Sequence, residues 1–371
     1  MINKNIAFFC NSESFGGLEL NFIHLAERFS EKGWSVSVIA KQDSPIYNKA
    51  ISLCMNVQGV GKIKKHFDYV SAKKIKKFIS SNDIDTILCT DNKDLNFIFT
   101  LRTLCNVKTI YIQQMQIGIN KKDLYHTSIY KTIDYWISPL NMLKDEVIRK
   151  TNFPEEKISV IPLGFDEKIL SDNMTVSECR NILDLPADIF LCGISGRFDV
   201  QKGQDFLIDC ICDMRVKYNI DVGLVMMGEP TKNEGEQYYK YLLDKIKDNN
   251  LEKRVFMRGF RDDVNIFYDA IDVFTLASKS ETFGMVTVEA MAKGLPVLAT
   301  NSGGTIEILG GGEYGLLYTP ADKKDFCEKL NLLYKDNNLR MLLGKKASEI
   351  SKAKYTLENQ YNKLSELILS E

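Results

Sequence analysis

The chain has 371 residues, 44% of them hydrophobic and 26% charged, with a net charge of −1. A chain of this length favours two domains, each large enough to bury a core, and the composition excludes disorder and fibre. Three histidines and nine scattered cysteines, none at metal-knuckle spacing, argue against a zinc site or a disulfide framework. No apolar run approaches the roughly 20 residues of a membrane-spanning helix. Residues 1–10 are too short and too quickly polar for a secretory signal, so the expected place is the cytoplasm.

Residues 6–9 read as a short buried strand, 11–17 as a polar loop ending in glycine, and 18–31 as an amphipathic helix with Leu20, Ile23, Leu25, Ala26 and Phe29 inward. Gly33 caps it and 34–40 alternates as the next strand. Gly16, Gly17 and Glu19 stand where a Rossmann phosphate loop would, without its full glycine pattern. They fit either a tight turn or a ligand loop.

Residues 1–165 hold 22 Lys+Arg against 16 Asp+Glu, and the remainder 26 against 33. The excess collects in Lys62, Lys64 and Lys65, and in Lys73, Lys74, Lys76 and Lys77. Such a run over 62–77 is a solvated helix face or a peripheral attachment to anionic lipid head groups, each basic residue there contributing about 1 kcal/mol. Residues 73–79 read as a helix and 85–89 as a strand. Asp83 and Asp85 superficially form a DxD pair, but their place at the start of a buried strand reads as a turn cap, and no metal is expected. A strand at 109–112 runs into Gln113, Gln114 and Gln116, amides able to bond a sugar but unable to act as a base. After a strand at 134–138 and a helix at 140–150, Pro162 and Gly164 break a strand and mark a domain boundary.

The second half repeats the strand–helix rhythm without repeating sequence. A buried strand at 189–194 ends in Gly196, Arg197, Lys202 and Gly203. Arginine offers a planar fork of donors and lysine a point charge, both at a strand end where α/β sheets bind ligands, so a phosphate is the expected partner. Strands at 222–227 and 255–257 follow, the latter running into Gly259 and Phe260. Residues 272–276 form a further strand. Beyond it Ser278 and Glu281 precede Phe283 and Gly284, where the chain turns into a helix that begins with Met285 and Val286 and carries Glu289 in its second turn. A glycine turn entering a helix makes an anion site. A carboxylate just before it needs hydroxyl partners, so Glu281 reads as a polyol ligand. Gly294 and Pro296 stop the helix before a strand at 297–299. A further helix starts beside Gly303, Gly304, Thr305 and Glu307. Helices at 323–334, 339–350 and 357–369 close the chain. Alternating strands and helices in both halves imply parallel sheets.

Glu281 and Glu289, with Ser278 before them, Phe283-Gly284 between them and Gly294-Leu295-Pro296-Val297 after, resemble the donor-site signature of the retaining glycosyltransferases of family 4. The resemblance spans nearly the whole chain and is closest from Arg197 to Glu307. It implies an α/β fold of the GT-B kind, two Rossmann-like doubly wound parallel-sheet domains facing across a cleft. The expected division is 1–165 on the acceptor side, 166–354 for the nucleotide-sugar donor, and a helix at 355–371 returning to the first domain. In residues, it implies Arg197 and Lys202 as a diphosphate clamp behind Gly196, Glu281 on the donor sugar and Glu289 on the ribose. Gly259 and Phe260 would pass the nucleobase, while Ser278, Phe283, Gly284, Met285 and Val286 line the donor. Gly16 and Gly17 would lie across the cleft from its phosphates. Glu19, Gln113, Gln114 and Gln116 are acceptor-side candidates. Many members place a histidine where this chain has glutamines, a departure that favours a mechanism using the donor's own phosphate.

The implied reaction is metal-independent, cofactor-free transfer of a hexosyl group, with retention, from a nucleotide-diphosphate sugar, UDP foremost, to a glycan or lipid-linked acceptor. Bacterial capsule or lipopolysaccharide assembly is the implied setting, and nucleic acid is not an expected partner. Two other functions fit the same residues: a nucleotide-sugar 2-epimerase of the same fold, and a non-catalytic sugar-nucleotide or glycan-binding subunit.

Overall fold

A computed structural model of the protein describes residues 4–64, 67–171, 174–230 and 235–370. Lys65 of the basic cluster lies outside them. The chain divides into two compact units, Met1–Gly164 with Leu357–Glu371, and Phe165–Thr356.

The first unit is built on seven parallel strands in the order β3-β2-β1-β4-β5-β6-β7. They are β1 (Asn5–Cys10), β2 (Ser35–Lys41), β3 (Asn56–Val60), β4 (Thr86–Cys89), β5 (Lys108–Ile112), β6 (Tyr135–Ser138) and β7 (Ile158–Val160). Strands buried on both faces need apolar side chains in both directions, which is why Ile6–Phe9 and Ile87–Cys89 do not alternate. The crossover helices are α1 (Gly17–Glu31), α2 (Pro45–Ser52), α3 (Tyr69–Ser81), α4 (Leu95–Arg102), α5 (Leu124–Tyr130) and α6 (Asn141–Lys150). Short polar residues start three of them. Ser44, Asp68 and Asp123 accept hydrogen bonds from the amides of Tyr47, Ser71 and His126, replacing partners that a first turn lacks. Asp83, read as part of a cap, sits in the left-handed region at φ 48°, where it ends the turn after α3. The edge strand β3 and helices α2, α4 and α5 are too short or too mixed in composition for the sequence to have announced them.

The second unit has six parallel strands in the order β10-β9-β8-β11-β12-β13. These are β8 (Phe190–Ser195), β9 (Val222–Met227), β10 (Val255–Arg258), β11 (Val273–Leu276), β12 (Val297–Thr300) and β13 (Leu316–Tyr318). Around them lie α7 (Val176–Ile182), α8 (Gln204–Val216), α9 (Glu236–Asp248) and α10 (Asn265–Ala270). The chain continues through α11 (Met285–Ala292), α12 (Thr305–Ile308), α13 (Lys323–Lys335) and α14 (Asn337–Lys354). One cluster of buried residues from β8, β9, α8 and α13, including Ile194, Leu224, Ile211 and Phe326, forms its core on one side.

The last helix, α15 (Leu357–Leu369), packs on α1 of the first unit. Tyr361 meets the Phe29 ring edge-on and accepts a hydrogen bond from Trp34 Nε1 at 3.1 Å. Gln360 Oε1 takes the Gly164 amide at 2.8 Å and the Asn21 amide side chain at 3.2 Å, which ties the end of the first unit's main segment to its last helix. All nine cysteines are free thiols. Six are buried, Cys105 and Cys212 are half-buried, and Cys54 is exposed.

Candidate functional site

In an open parallel sheet the crevice for a ligand lies beyond the carboxyl ends of the strands, where strand order reverses. In the second unit that point falls between β8 and β11. Their ladder is confined to Cys192 and Gly193 against Val273 and Phe274. The two loops that leave these strands carry Arg197 and Lys202 on one side, Ser278 and Glu281 on the other.

The structure brings three of these four together. Lys202 Nζ lies 2.6 Å from Glu281 Oε1, and Ser278 Oγ donates to the same oxygen at 2.6 Å. Glu281 is thereby held by a lysine and a hydroxyl from two loops, with only 12% of its side chain exposed. The loops are joined through the backbone too, where the Lys279 amide donates to the Gln201 carbonyl at 3.0 Å. Gly203, at φ 70°, makes this approach possible, since a Cβ there would stand 2.4 Å from the Ala277 carbonyl oxygen. Arg197 is exposed on the turn after Gly196, and its guanidinium has no hydrogen bond or ion pair among the described residues. Its carbonyl accepts from Gln204 Nε2 at 2.8 Å, which fixes the turn.

The loop carrying Glu281 is braced from behind. The Gly304 amide donates to the Glu281 carbonyl at 2.8 Å, Ser302 Oγ to that of Lys279 at 2.8 Å, and Thr300 Oγ1 to that of Ser278 at 2.9 Å. Gly284, at φ 88°, is the N-cap of α11, a left-handed position that suits only a residue without Cβ. The first-turn amides that follow it, at Met285 and Val286, have no intrahelical partners and carry the positive end of the helix dipole. One turn in, the Thr287 hydroxyl is buried and without a hydrogen-bond partner among the described residues. Phe283 is buried, its ring edge-on to Tyr355, so it packs the loop down as a structural residue and does not line an open surface. Glu289 accepts a hydrogen bond from Tyr268 Oη at 2.7 Å; burial raises its carboxyl pKa and the tyrosine bond opposes that rise. Neither Tyr268 nor Thr287 was singled out by the sequence. Tyr268 lies 21 residues from Glu289 on another helix, and nothing in its surroundings carries a motif.

Gly259 and Phe260 stand beyond β10 and line a hollow of about 400 Å³ with Ile182, Leu183 and Arg258. The Arg258 guanidinium is engaged by the Leu183 and Asp184 carbonyls, and the exposed Phe260 and Ile182 side chains are apolar walls of the hollow.

In the first unit Gly16, Gly17 and Glu19 follow β1, at the strand reversal between β1 and β4, while Gln113, Gln114 and Gln116 follow β5. Glu19 receives the Gly16 amide at 2.9 Å and Ser12 Oγ at 2.8 Å, so this carboxylate holds the loop of Gly16 and Gly17 onto the start of α1. Beside it the Asn11 amide donates to Asp94 at 3.0 Å, and burial pushes the Asp94 carboxyl up to about 7. Gln113 is fully buried. Its Oε1 accepts from Trp136 Nε1 at 3.1 Å and Ser138 Oγ at 2.9 Å, and its Nε2 donates to the Met115 carbonyl. The structure thus places this acceptor-side candidate in the core, where its bonds shape the turn after β5. Gln114 is buried, its Nε2 without a hydrogen-bond partner among the described residues, and Gln116 is exposed.

A lysine, an exposed arginine and a helix start gather positive potential, and Glu281 offers a carboxylate to hydroxyls alongside. A ligand with both phosphate and polyol parts would satisfy both halves. Among the described residues no three His, Cys, Asp or Glu side chains group so as to hold a metal ion, and no helix is long and apolar enough to cross a membrane.

Comparison with known proteins gives this architecture its class. Residues 15–168 match the model described as Glycosyltransferase Family 4, and residues 177–350 that of Glycosyl transferases group 1. Anabaena Alr3699/HepE in complex with UDP superposes with a TM-score of 0.86 at 22% identity, over 99% of this chain and 100% of that one. The chain is a glycosyltransferase of the GT-B fold, related to the group 1 and family 4 enzymes. Among relatives, the D-inositol 3-phosphate glycosyltransferase of Corynebacterium urealyticum is 21% identical over 96% of this chain and 91% of its own length. The lipopolysaccharide core biosynthesis glycosyltransferase LpsE of Rhizobium meliloti is 29% identical, over 58% of this chain and 61% of its own.

Proposed function

We propose that the chain transfers a hexosyl group, with retention of anomeric configuration, from a UDP-sugar to an acceptor hydroxyl on a glycan or glycolipid of the bacterial surface. The observation that carries this reading is the pair Lys202 and Glu281 at the strand reversal of the second unit, with Arg197 exposed on the loop that carries Lys202. In the reaction the bond between the anomeric carbon and the diphosphate oxygen breaks, and the acceptor oxygen bonds to that carbon from the same face. The acceptor's proton passes to the departing phosphate oxygen, which needs no protein base. Negative charge builds on the leaving diphosphate, and Arg197, Lys202 and the first amides of α11 are donors suited to it. Glu281 takes hydroxyls of the sugar, and Glu289, oriented by Tyr268, those of the ribose. UDP bound by HepE and the surface-glycan role in the LpsE name support the choice of donor and setting.

The test uses purified full-length chain with UDP-hexoses and an acceptor panel. Arg197→Ala and Glu281→Ala are each expected to lower turnover by ~10² to 10³ with melting temperature unchanged. NMR of the product is expected to show the donor's anomeric configuration. An inverted product removes the retaining mechanism, and full turnover in either folded variant removes the residue assignment.

A further inference from the structure

The first unit carries basic and apolar residues together on one face. On α3, Val70, Lys73, Lys74 and Lys77 follow one another at helical spacing and form a stripe opposite the buried Ala72, Ile75 and Ile79. Val70 is 81% exposed, and Phe67 just before the helix 59%. A second segment, leading into α5, exposes Met115, Ile119 and, at 88%, Leu124, with Lys121 and Lys122 between the last two. Separate in sequence, the two segments meet on α4. The Phe67 ring sits edge-on to Phe99, and Tyr125 Oη donates to Asn96 Oδ1 at 2.6 Å. Asn96 and Phe99 are one turn apart, so both segments lie along one helix surface.

The charge on this face is one-sided. Within the two segments the described lysines 62, 64, 73, 74, 76, 77, 121 and 122 stand with two carboxylates, Asp68 and Asp123, and Glu146 behind the second segment takes the Ile117 amide at 2.8 Å and pairs with Lys150 at 2.6 Å. Asp68 is buried and holds the amides of Lys64 and Ser71, and Asp123 caps α5 and pairs with His126 Nδ1 at 2.6 Å. A solvated helix face accounts for the lysines. It does not account for Val70, Phe67 and Leu124 standing in water among them, whereas lysines above phosphates with apolar side chains entering the head-group boundary account for both.

We propose that this face docks on a bilayer containing anionic lipid, with the lysines of α3 and the 115–125 segment over head-group phosphates and Val70 and Leu124 inserted at the interface. The proposal stands apart from the sugar-transfer reading, and its test reads no catalysis. Full-length chain is sedimented with vesicles of phosphatidylcholine alone or with phosphatidylglycerol added, at low and high salt.

Binding is expected only with phosphatidylglycerol and weakens with salt. At about 5-fold per lysine, the triple variant Lys73→Gln, Lys74→Gln, Lys77→Gln is expected to lose ~10² in affinity. The double variant Val70→Ser, Leu124→Ser is expected to bind more weakly while keeping the salt dependence. Circular dichroism melting confirms that both variants fold. A parent chain that leaves anionic vesicles unbound, or a triple variant that binds them equally, overturns the proposal. So does a single-stranded oligonucleotide that binds as tightly as vesicles and is indifferent to the apolar variant, since the face would then read polyanions.

Discussion

Lys202 and Glu281 illustrate what a pair of opposite charges does at a partly covered site. Joined at 2.6 Å, they hold two loops in register beside a helix start that favours anions. Asp94 shows the opposite arrangement, a carboxyl buried without a cation in contact. Burial raises it from 3.8 to about 7, so the folded chain keeps a proton that the unfolded chain has released from about pH 4 upward. Stability from this group is therefore full below pH 4, falls as pH rises, and is lost once pH has passed about 7. Asp94→Asn keeps an oxygen for the Asn11 amide and removes the titration. Its melting temperature is expected to exceed the parent's by several degrees at pH 8, at roughly 2–4 °C per kcal/mol, and to match it near pH 4. Calorimetry at pH 4, 6 and 8 decides, and an equal offset at all three would remove the explanation. Residues whose chemistry is local were legible from sequence: Arg197 and Lys202 follow one strand, Ser278 and Glu281 another. Gln113 and Tyr268 were not, because a glutamine after a strand reads as exposed until Trp136 and Ser138 close over it, and a tyrosine acquires its partner only through the fold.

At the level of elements, the site depends on how closely two loops pass. The turn at Gly203 lies against Ala277 and begins α8, so one glycine sets both the start of a helix and the separation of the two loops. Gly203→Ala combines a left-handed residue with a contact of 2.4 Å to a carbonyl oxygen. Such strain costs about 1–3 kcal/mol, measurable by urea unfolding, and the loops must part to relieve it. The variant is expected to lose donor-induced thermal stabilisation beyond what its stability loss explains. Unchanged unfolding would show that the turn yields without strain. Strong periodic patterns made α1, α6, α13, α14 and α15 readable, whereas α9, 13 residues long, was not read from the sequence. The short ones, α4 and α5 among them, could not be read because their limits are set by the neighbours they pack on.

Across the molecule, two sheets of the same strand logic are made from one chain that leaves its first unit at Phe165 and comes back at Leu357. The βα rhythm made both sheets readable, since parallel strands require crossovers. The strand orders were not readable, because alternation alone leaves open which strands pair. Tyr361 concentrates the returning helix's contacts on Phe29 and Trp34, so Tyr361→Ala is expected to destabilise the first unit by ~3–5 kcal/mol. In calorimetry that loss should lower one transition and leave the second unit's in place; a uniform shift of the whole trace would contradict it.

The returning helix also sets a schedule. During synthesis the residues up to Gly164 emerge with the ground between Trp34 and Gly164 uncovered, and the segment that covers it follows the whole of Phe165–Thr356. At translation rates of about 5–20 residues per second that wait lasts roughly 10 to 40 s. A nascent chain of this protein therefore exposes an aromatic surface to chaperones until its final helix leaves the ribosome.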